Sequence, residues 1–312
     1  MGMISAPGSG KIAAGAHRRP ARDDGGGAGQ RSAAGRCGQT RAVNARSALF
    51  DLYGDHLRTR GAQAPVASLV RLLAPLGIAG PAVRTAVSRM VRQGWLTPVR
   101  LDGGPGYALT PRASRRLDEA AERIYARGDP RWDGRWHVLI MERVRDRTRR
   151  ERVRAALHYL GYAPLAELTW ISPRPSVELD ALLAAEGLRA ERFSASYAGD
   201  PLGLLERAWD LDRLARAYRH WLVTAGELTA GVGPDAADEV VFARRSTLVH
   251  EWRKFLFSDP GLPAPLLPAQ WPGREAADLF HAESARLLPA ASRFVDGCLR
   301  ADLRDPPGPE GG

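Results

Sequence analysis

The chain has 312 residues and a net formal charge of +10, a length that accommodates two or three domains. Its cysteines, Cys37 and Cys298, stand near opposite ends, and its histidines show no HxH or HExxH spacing. The sequence therefore predicts neither a disulfide framework nor a metal site. No apolar run approaches the ~20 residues of a membrane span, and we expect a cytoplasmic protein without a membrane segment.

The positive charge is concentrated towards the N-terminus. Residues 1–42 carry +5 and residues 43–128 carry +7, whereas the remainder carries −2. Of the 45 basic residues 43 are arginine, a preference that a GC-rich genome alone would produce. Such a bias does not place the excess in one segment, so the distribution favours a nucleic-acid partner for the first 128 residues.

Residues 1–42 are rich in Gly, Ala, Ser and Arg and show no hydrophobic periodicity. This composition predicts a disordered, basic arm. Two interpretations stay open: the arm adds sequence-independent attraction to phosphates, or it is an extension created by a misassigned start codon.

Four helical patterns follow within a predicted DNA-binding domain at 43–128, and the third of them, within 79–110, is described in the next paragraph. The first helix, 45–59, has an apolar stripe of Leu49, Leu52, Tyr53 and His56 or Leu57. The second, 65–74, places Val66, Leu69, Val70 and Leu73 inward, with Pro65 suited to a first helical turn. A later helix at 112–126 leads to the next domain.

Residues 79–110 predict a short amphipathic helix that runs into a glycine-tipped hairpin. Its inward positions are Val83, Val87, Met90 and Val91. Gly94 stands at the C-terminal cap, and the segments WLTPVR and YALT flank the turn DGGPG. This order is typical of a winged helix-turn-helix, whose second helix enters the major groove of DNA.

The outer face of this helix supplies the candidate DNA contacts. We predict that Arg84, Thr85, Ser88 and Arg89 approach bases or phosphates and that Arg92 points towards the backbone. Arg100 in the wing is a further candidate. The alternative is an ordinary solvated face, but the following hairpin and the local charge favour DNA.

From Trp132 the pattern changes to strands at 135–142, 165–172 and 189–197 that alternate with helices at 148–162 and 176–187. This order predicts a ferredoxin-like α/β domain at 129–200. A helical domain at 201–300 follows, with helices near 201–228, 234–257 and 274–299. Five prolines in 259–273 exclude helix there and predict an extended connection that packs through its leucines. Residues 301–312 are predicted to be a disordered tail, and the whole is an α+β protein.

Four segments resemble the PaaX family of transcriptional repressors: ARSALFDLYGDH, LAPLGIAGPAVRTAVSRMVRQGWL, DPRWDGRWHVLIM and HEWRKFLFSDPGLPAPLLPAQWPG. The resemblance implies a homodimer that binds palindromic operators on double-stranded DNA and releases them when an aryl-acyl-CoA binds, typically phenylacetyl-CoA. The implied effector contacts come from the last segment, where aromatic rings could cover an acyl group and basic groups could meet phosphates. These candidates are Trp252, Arg253, Lys254 and Trp271.

Two other classes of protein compete with a repressor: an enzyme and a protein–protein adaptor. The central domain is similar to the small nuclease subunits of CRISPR adaptation machinery, but Arg143 occupies the position of their metal-binding Asp, and Glu142 or Asp146 would need a register change. A CoA-dependent or metal-dependent phosphodiester-cleaving enzyme that carries a winged helix would need a carboxylate cluster or an activated nucleophile, and neither is visible. No phosphate-binding glycine loop is visible either, so we predict no enzyme and no cofactor. The third class, a winged-helix protein–protein adaptor, fits the basic helix less well. The arginine run at 143–154 predicts intramolecular pairing with Glu142, Asp146 and Glu151.

Overall fold

A computed structural model of the chain describes residues 44–125 and 132–304. The predicted arm at 1–42 lies outside these residues. The predicted tail began at 301, but the last helix continues through Arg304, and the residues after it are not described.

The N-terminal part combines four helices with a three-stranded antiparallel sheet of order β1-β3-β2. A π-helical turn, Tyr53–Leu57, continues the first helix, and a 3-10 turn, Ala74–Leu76, ends the second. The elements are α1 (Ala45–Leu52), β1 (Gln63–Pro65), α2 (Val66–Leu73), α3 (Gly80–Arg92), β2 (Leu96–Leu101), β3 (Gly104–Leu109) and α4 (Pro111–Tyr125). Strand β1 was not predicted. The order helix, strand, helix, helix, hairpin is the one expected for a winged helix-turn-helix.

The core of this part confirms the predicted stripe of α1, since Leu49, Leu52 and Tyr53 are all buried. Helix α2 differs from its prediction. Leu69 and Leu73 are buried as expected, but Val66 and Val70 are only half-buried, while Ser68 and Leu72 are fully buried.

The second buried face of α2 packs against the C-terminal helix of the chain. The Ser68 hydroxyl donates to the Cys298 carbonyl at 3.0 Å, and Val295 joins the N-terminal core. Local periodicity could not reveal this face, because its partner lies 230 residues away in the sequence.

The central part has the ferredoxin-like order β-α-β-β-α-β, with an antiparallel sheet of order β5-β6-β4-β7. The predicted single strand at 165–172 is wrong: a turn at 167–168 divides it into a hairpin, which supplies the fourth strand. The elements are β4 (Arg135–Met141), α5 (Arg147–Tyr159), β5 (Ala163–Ala166), β6 (Thr169–Ser172), α6 (Leu179–Glu186) and β7 (Ala190–Ser196).

Four helices form the C-terminal part: α7 (Pro201–Ala208), α8 (Leu211–Thr229), α9 (Asp238–Trp252) and α10 (Pro272–Arg304). A 3-10 segment, Arg253–Phe257, continues α9. The proline-rich connection contains one 3-10 turn, Ala264–Leu266, and otherwise no helix before Pro272. It packs as predicted, since Leu262 and Leu266 are buried against Trp136 of the central sheet.

Candidate nucleic-acid interface

Helix α3 divides cleanly into a buried and an exposed face. Val83, Val87 and Met90 are at most 2% exposed, whereas Val91 is only half-buried. The five predicted DNA-contacting side chains of the helix all lie on the exposed face: Arg84, Thr85, Ser88, Arg89 and Arg92. The structure therefore places them on one accessible surface.

Local backbone chemistry fixes both ends of α3. Pro81 stands in the first turn, where its missing N–H costs no helical hydrogen bond. At the other end Gly94 has a φ of +71°, and the Trp95 N–H donates to the Met90 carbonyl at 2.9 Å. This is a Schellman-type termination, which turns the chain at once into β2.

The hairpin after α3 is confirmed, but its turn is tighter than expected. Leu101 pairs with Gly104, which leaves only Asp102 and Gly103 in the turn and places Gly106 inside β3. A Cβ on Gly106 would lie 2.7 Å from the Ala64 carbonyl oxygen, so glycine is needed where β1 and β2 flank β3. Arg100 is exposed on β2, near the tip of this wing.

The segment from residue 56 to residue 101 contains no Asp or Glu but seven arginines. Three of these have internal contacts: Arg58 with Asp118 at 3.2 Å, Arg60 with Asp296 at 2.7 Å, and Arg71 with the Cys298 carbonyl at 2.9 Å. The other four make no ion pair within the described part of the chain. They are Arg84, Arg89, Arg92 and Arg100, the predicted DNA contacts.

The arginines at 143–154 behave differently. Arg152 contacts Glu186 at 2.7 Å, Arg149 contacts the same carboxylate at 3.6 Å, and Arg143 contacts Glu167 at 2.8 Å. Pairing is thus confirmed for three members of the run, although the partners come from α6 and the β5–β6 turn rather than from the predicted acids.

A polar network that sequence reasoning missed lies between α1, α4 and α9. The Arg245 guanidinium, 3% exposed, donates to both carboxylate oxygens of Asp55, which also accepts from the Tyr125 hydroxyl. His56 lies 3.1 Å from the same carboxylate. Beside it, Asp51 contacts both His250 and Arg253 at 2.7 Å.

Burial controls the protonation of this network. It lowers the pKa of His56 to about 4, with the charges of Arg245 and Arg60 acting in the same direction and Asp55 opposing. For Asp55 burial acts towards a higher pKa, but His56 and Arg245 outweigh it and hold that pKa below its ordinary value. The cluster therefore contains a carboxylate, a guanidinium and a neutral imidazole near pH 7.

The four predicted effector residues do not meet at one site. Trp252 is 9% exposed and stacks on Phe280 at 4.7 Å, which makes it a core residue. With Trp271 it borders a cleft of about 900 Å³ along α10. Arg253 instead borders a separate cavity of about 540 Å³, and Lys254 is exposed and paired with Glu251.

The three residues at or near the position of the nuclease metal-binding Asp make contacts within the central part of the chain. Arg143 forms the ion pair with Glu167 described above, Glu142 accepts from the Arg189 N–H at 3.2 Å, and Asp146 caps α5 by accepting from the Arg149 N–H at 2.6 Å. In residues 44–125 and 132–304 no cluster of three or more His, Cys, Asp or Glu is arranged to hold a metal ion. Nor is any helix there both long and apolar enough to cross a bilayer.

Together these features define an α+β protein in which a helix–hairpin unit carries an accessible row of arginines. Three PaaX domain families match the chain: the PaaX-like protein family at 44–113, the PaaX protein central Cas2-like domain at 129–201, and the PaaX-like protein C-terminal domain at 209–297. This chain belongs to the PaaX family.

Two relatives illustrate this membership. The chain is 31% identical over 280 residues to the transcriptional repressor PaaX of Escherichia coli K12, covering 86% of this chain and 88% of that protein. A solved structure, titled uncharacterized protein Rv0674 from Mycobacterium tuberculosis, matches with a TM-score of 0.56 and 27% identity, covering 82% of this chain and 98% of the other.

Proposed function

We propose that this protein is a DNA-binding transcriptional repressor, not an enzyme, and that α3 is its recognition helix. The observation that carries the proposal is the row of exposed arginines on α3 that have no carboxylate partner among the described residues. A helix about 10–12 Å across fits a major groove about 12 Å wide. The E. coli relative, a transcriptional repressor by name, supports the same function.

In this proposal Arg84, Thr85, Ser88 and Arg89 face base edges or phosphates, and Arg92 faces the backbone. Arg100 at the wing reaches flanking phosphates. A homodimer in the cytoplasm would place two copies of α3 in successive major grooves, roughly 34–36 Å apart, on a palindromic operator.

The proposed effector is an aryl-acyl-CoA such as phenylacetyl-CoA, as the family resemblance implies. It would act by binding more tightly to an arrangement in which the two recognition helices no longer match the operator. Trp252, Arg253, Lys254 and Trp271 are the initial candidates for its contacts. Their separation in the structure makes Arg253, at the 540 Å³ cavity, the most informative of the four.

A gel-shift titration of the full chain against its own upstream DNA, at two salt concentrations, tests the proposal. We expect salt-sensitive binding, released by phenylacetyl-CoA but not by free phenylacetate. DNA binding that phenylacetyl-CoA does not weaken would support the proposed repressor and reject the proposed effector. No binding at low salt to this or other candidate operators would instead favour a protein–protein adaptor.

A further inference from the structure

A cavity of about 540 Å³ lies where all three parts of the chain meet. Its walls come from α1 and α4 of the N-terminal part, α5 of the central part, and the 3-10 segment after α9. This size falls within the ~300–1,000 Å³ typical of small-molecule sites. Small side chains, Ala155 and Ala156 on α5 and Ala120 and Ala121 on α4, leave the space between these helices open.

Two aromatic pairs line this junction cavity. Phe50 meets Trp95 edge to face, with ring centroids 4.8 Å apart. The ring centroids of Tyr159 and Phe257 lie 5.6 Å apart, and Phe257 is 67% exposed. Guanidinium groups already lie over two of these rings, Arg112 over Trp95 at 6.0 Å and Arg123 over Tyr159 at 4.4 Å. An aromatic ligand ring that packs beside these pairs would gain apolar and edge-to-face contacts.

The charges at the cavity favour an anion. Its two carboxylates, Asp51 and Asp55, are both buried and already paired with Arg253, His250 and Arg245. Arg116 is half-exposed and contacts Glu178 at 2.7 Å. Arg46 is exposed, lies 5.6 Å from the centroid of Phe50, and has no carboxylate partner within the described residues. An incoming negative group would therefore meet one uncompensated guanidinium at the rim.

We propose that the junction cavity binds an aromatic organic anion, with its ring beside the Phe50–Trp95 and Tyr159–Phe257 pairs and its negative group towards Arg46. The inference deepens the proposed function, on which its identification as an effector site rests. It places the site in the junction cavity rather than in the 900 Å³ cleft bordered by Trp252 and Trp271.

The position of Trp95 connects this cavity to the recognition helix. Its ring lines the cavity, while its backbone N–H closes the C-terminal turn of α3 through Met90. A ligand that repositions this ring also acts on the end of α3. Because α4 and α5 belong to different parts of the chain, occupancy further biases their relative placement, which is how a ligand shifts a two-state equilibrium.

A fluorescence titration with 8-anilino-1-naphthalenesulfonate, an aromatic anion, tests the site without assuming the natural ligand. Ala155→Phe fills the junction cavity from α5, and Ala282→Phe is its matched control, an exposed helical alanine in the 900 Å³ cleft. We expect saturable binding to the wild type, a loss of affinity of at least about tenfold in Ala155→Phe, and little change in Ala282→Phe.

A second pair of variants keeps the test valid if Ala155→Phe disturbs folding, which circular dichroism would show. Arg46→Ala should weaken binding by about threefold or more, since it removes the rim cation. Arg244→Ala, an exposed arginine of α9 away from the cavity, should not. Equal affinity of all variants, or a loss confined to Ala282→Phe, overturns the proposed site.

Competition by phenylacetyl-CoA separates this inference from the proposed function. Displacement of the dye supports both the site and its identification as the effector site. If the dye shows the expected variant pattern but phenylacetyl-CoA, phenylacetate and coenzyme A all fail to displace it, the aromatic-anion site stands and the proposed effector is rejected.

Discussion

Arginine occurs in two opposite settings in this protein. On α3, Arg84, Arg89 and Arg92 are exposed and lack carboxylate partners within the described residues. At the junction of α1 and α9, Arg245 is buried, and its charge is compensated by Asp55. A guanidinium without a partner is available to a ligand, whereas one that is desolvated and paired holds the chain together. The same residue type thus leaves its charge unpaired in one region and stabilises the fold in the other.

The largest effect should come from removing the buried guanidinium. Arg245→Met leaves the carboxylate of Asp55 buried without its main counter-charge, and we expect a loss of about 3–5 kcal/mol in the free energy of unfolding. Urea denaturation measures it. Arg89→Met is the matched control and should stay within about 0.5 kcal/mol of the wild type. Similar losses in both variants would contradict the distinction between the two settings.

The pH dependence of stability tests the protonation of the buried cluster that contains His56, Asp55 and Arg245. Because the folded-state pKa of His56 is about 4, below the ordinary 6.5, the unfolded chain takes up this proton first. The contribution of neutral His56 is complete above pH 6.5 and falls as the pH drops towards 4, by up to about 3 kcal/mol.

Urea midpoints measured between pH 7 and pH 4 test this behaviour. His56→Gln should flatten the decline, because glutamine does not titrate. His220→Gln, at an exposed position on α8, should leave the decline unchanged. If the urea midpoint declines equally in the wild type and in both variants, titratable groups other than His56 cause the decline.

For the exposed arginines of α3 we expect a change in DNA affinity rather than in the free energy of unfolding. Arg84→Ala and Arg89→Ala should each weaken operator binding by about 1–3 kcal/mol if they contact bases. If an arginine instead contacts a phosphate, its replacement should weaken binding to all sequences and reduce the salt slope by about 1. Fluorescence anisotropy with specific and scrambled duplexes distinguishes the two. Unchanged affinity for DNA in both variants would show that α3 does not contact the operator.

The smallest effect is expected for an exposed arginine that already has a partner. Arg152, on α5, forms a bidentate contact with Glu186. Arg152→Ala should change DNA affinity by less than about twofold, because its charge is offset by that carboxylate and lies outside the helix–hairpin unit. The same anisotropy assay measures this. A loss as large as that of Arg89→Ala would mean that the central domain also contacts DNA.

Local pattern was sufficient for most of the helices and for the exposed face of α3, but not for strand β1 or for the β5–β6 hairpin. The buried positions Val83, Val87 and Met90 follow from helical spacing, and the outer arginines follow by exclusion. The long stretch without acids at 56–101 is visible in the sequence alone, and it distinguishes the basic surface from the rest of the chain. The turn at 167–168 was missed because no glycine or proline marks it.

The sequence by itself determined the order of the three parts, the amphipathic helices and the positive charge of the exposed face of α3, since each depends on neighbours within one or two helical turns. Only the tertiary structure decided which arginines are compensated, because Asp55 and Arg245 stand 190 residues apart. It likewise decided that α2 has a second buried face and that residues of all three parts line one cavity. Such contacts depend on the packing of distant elements, which local periodicity does not encode.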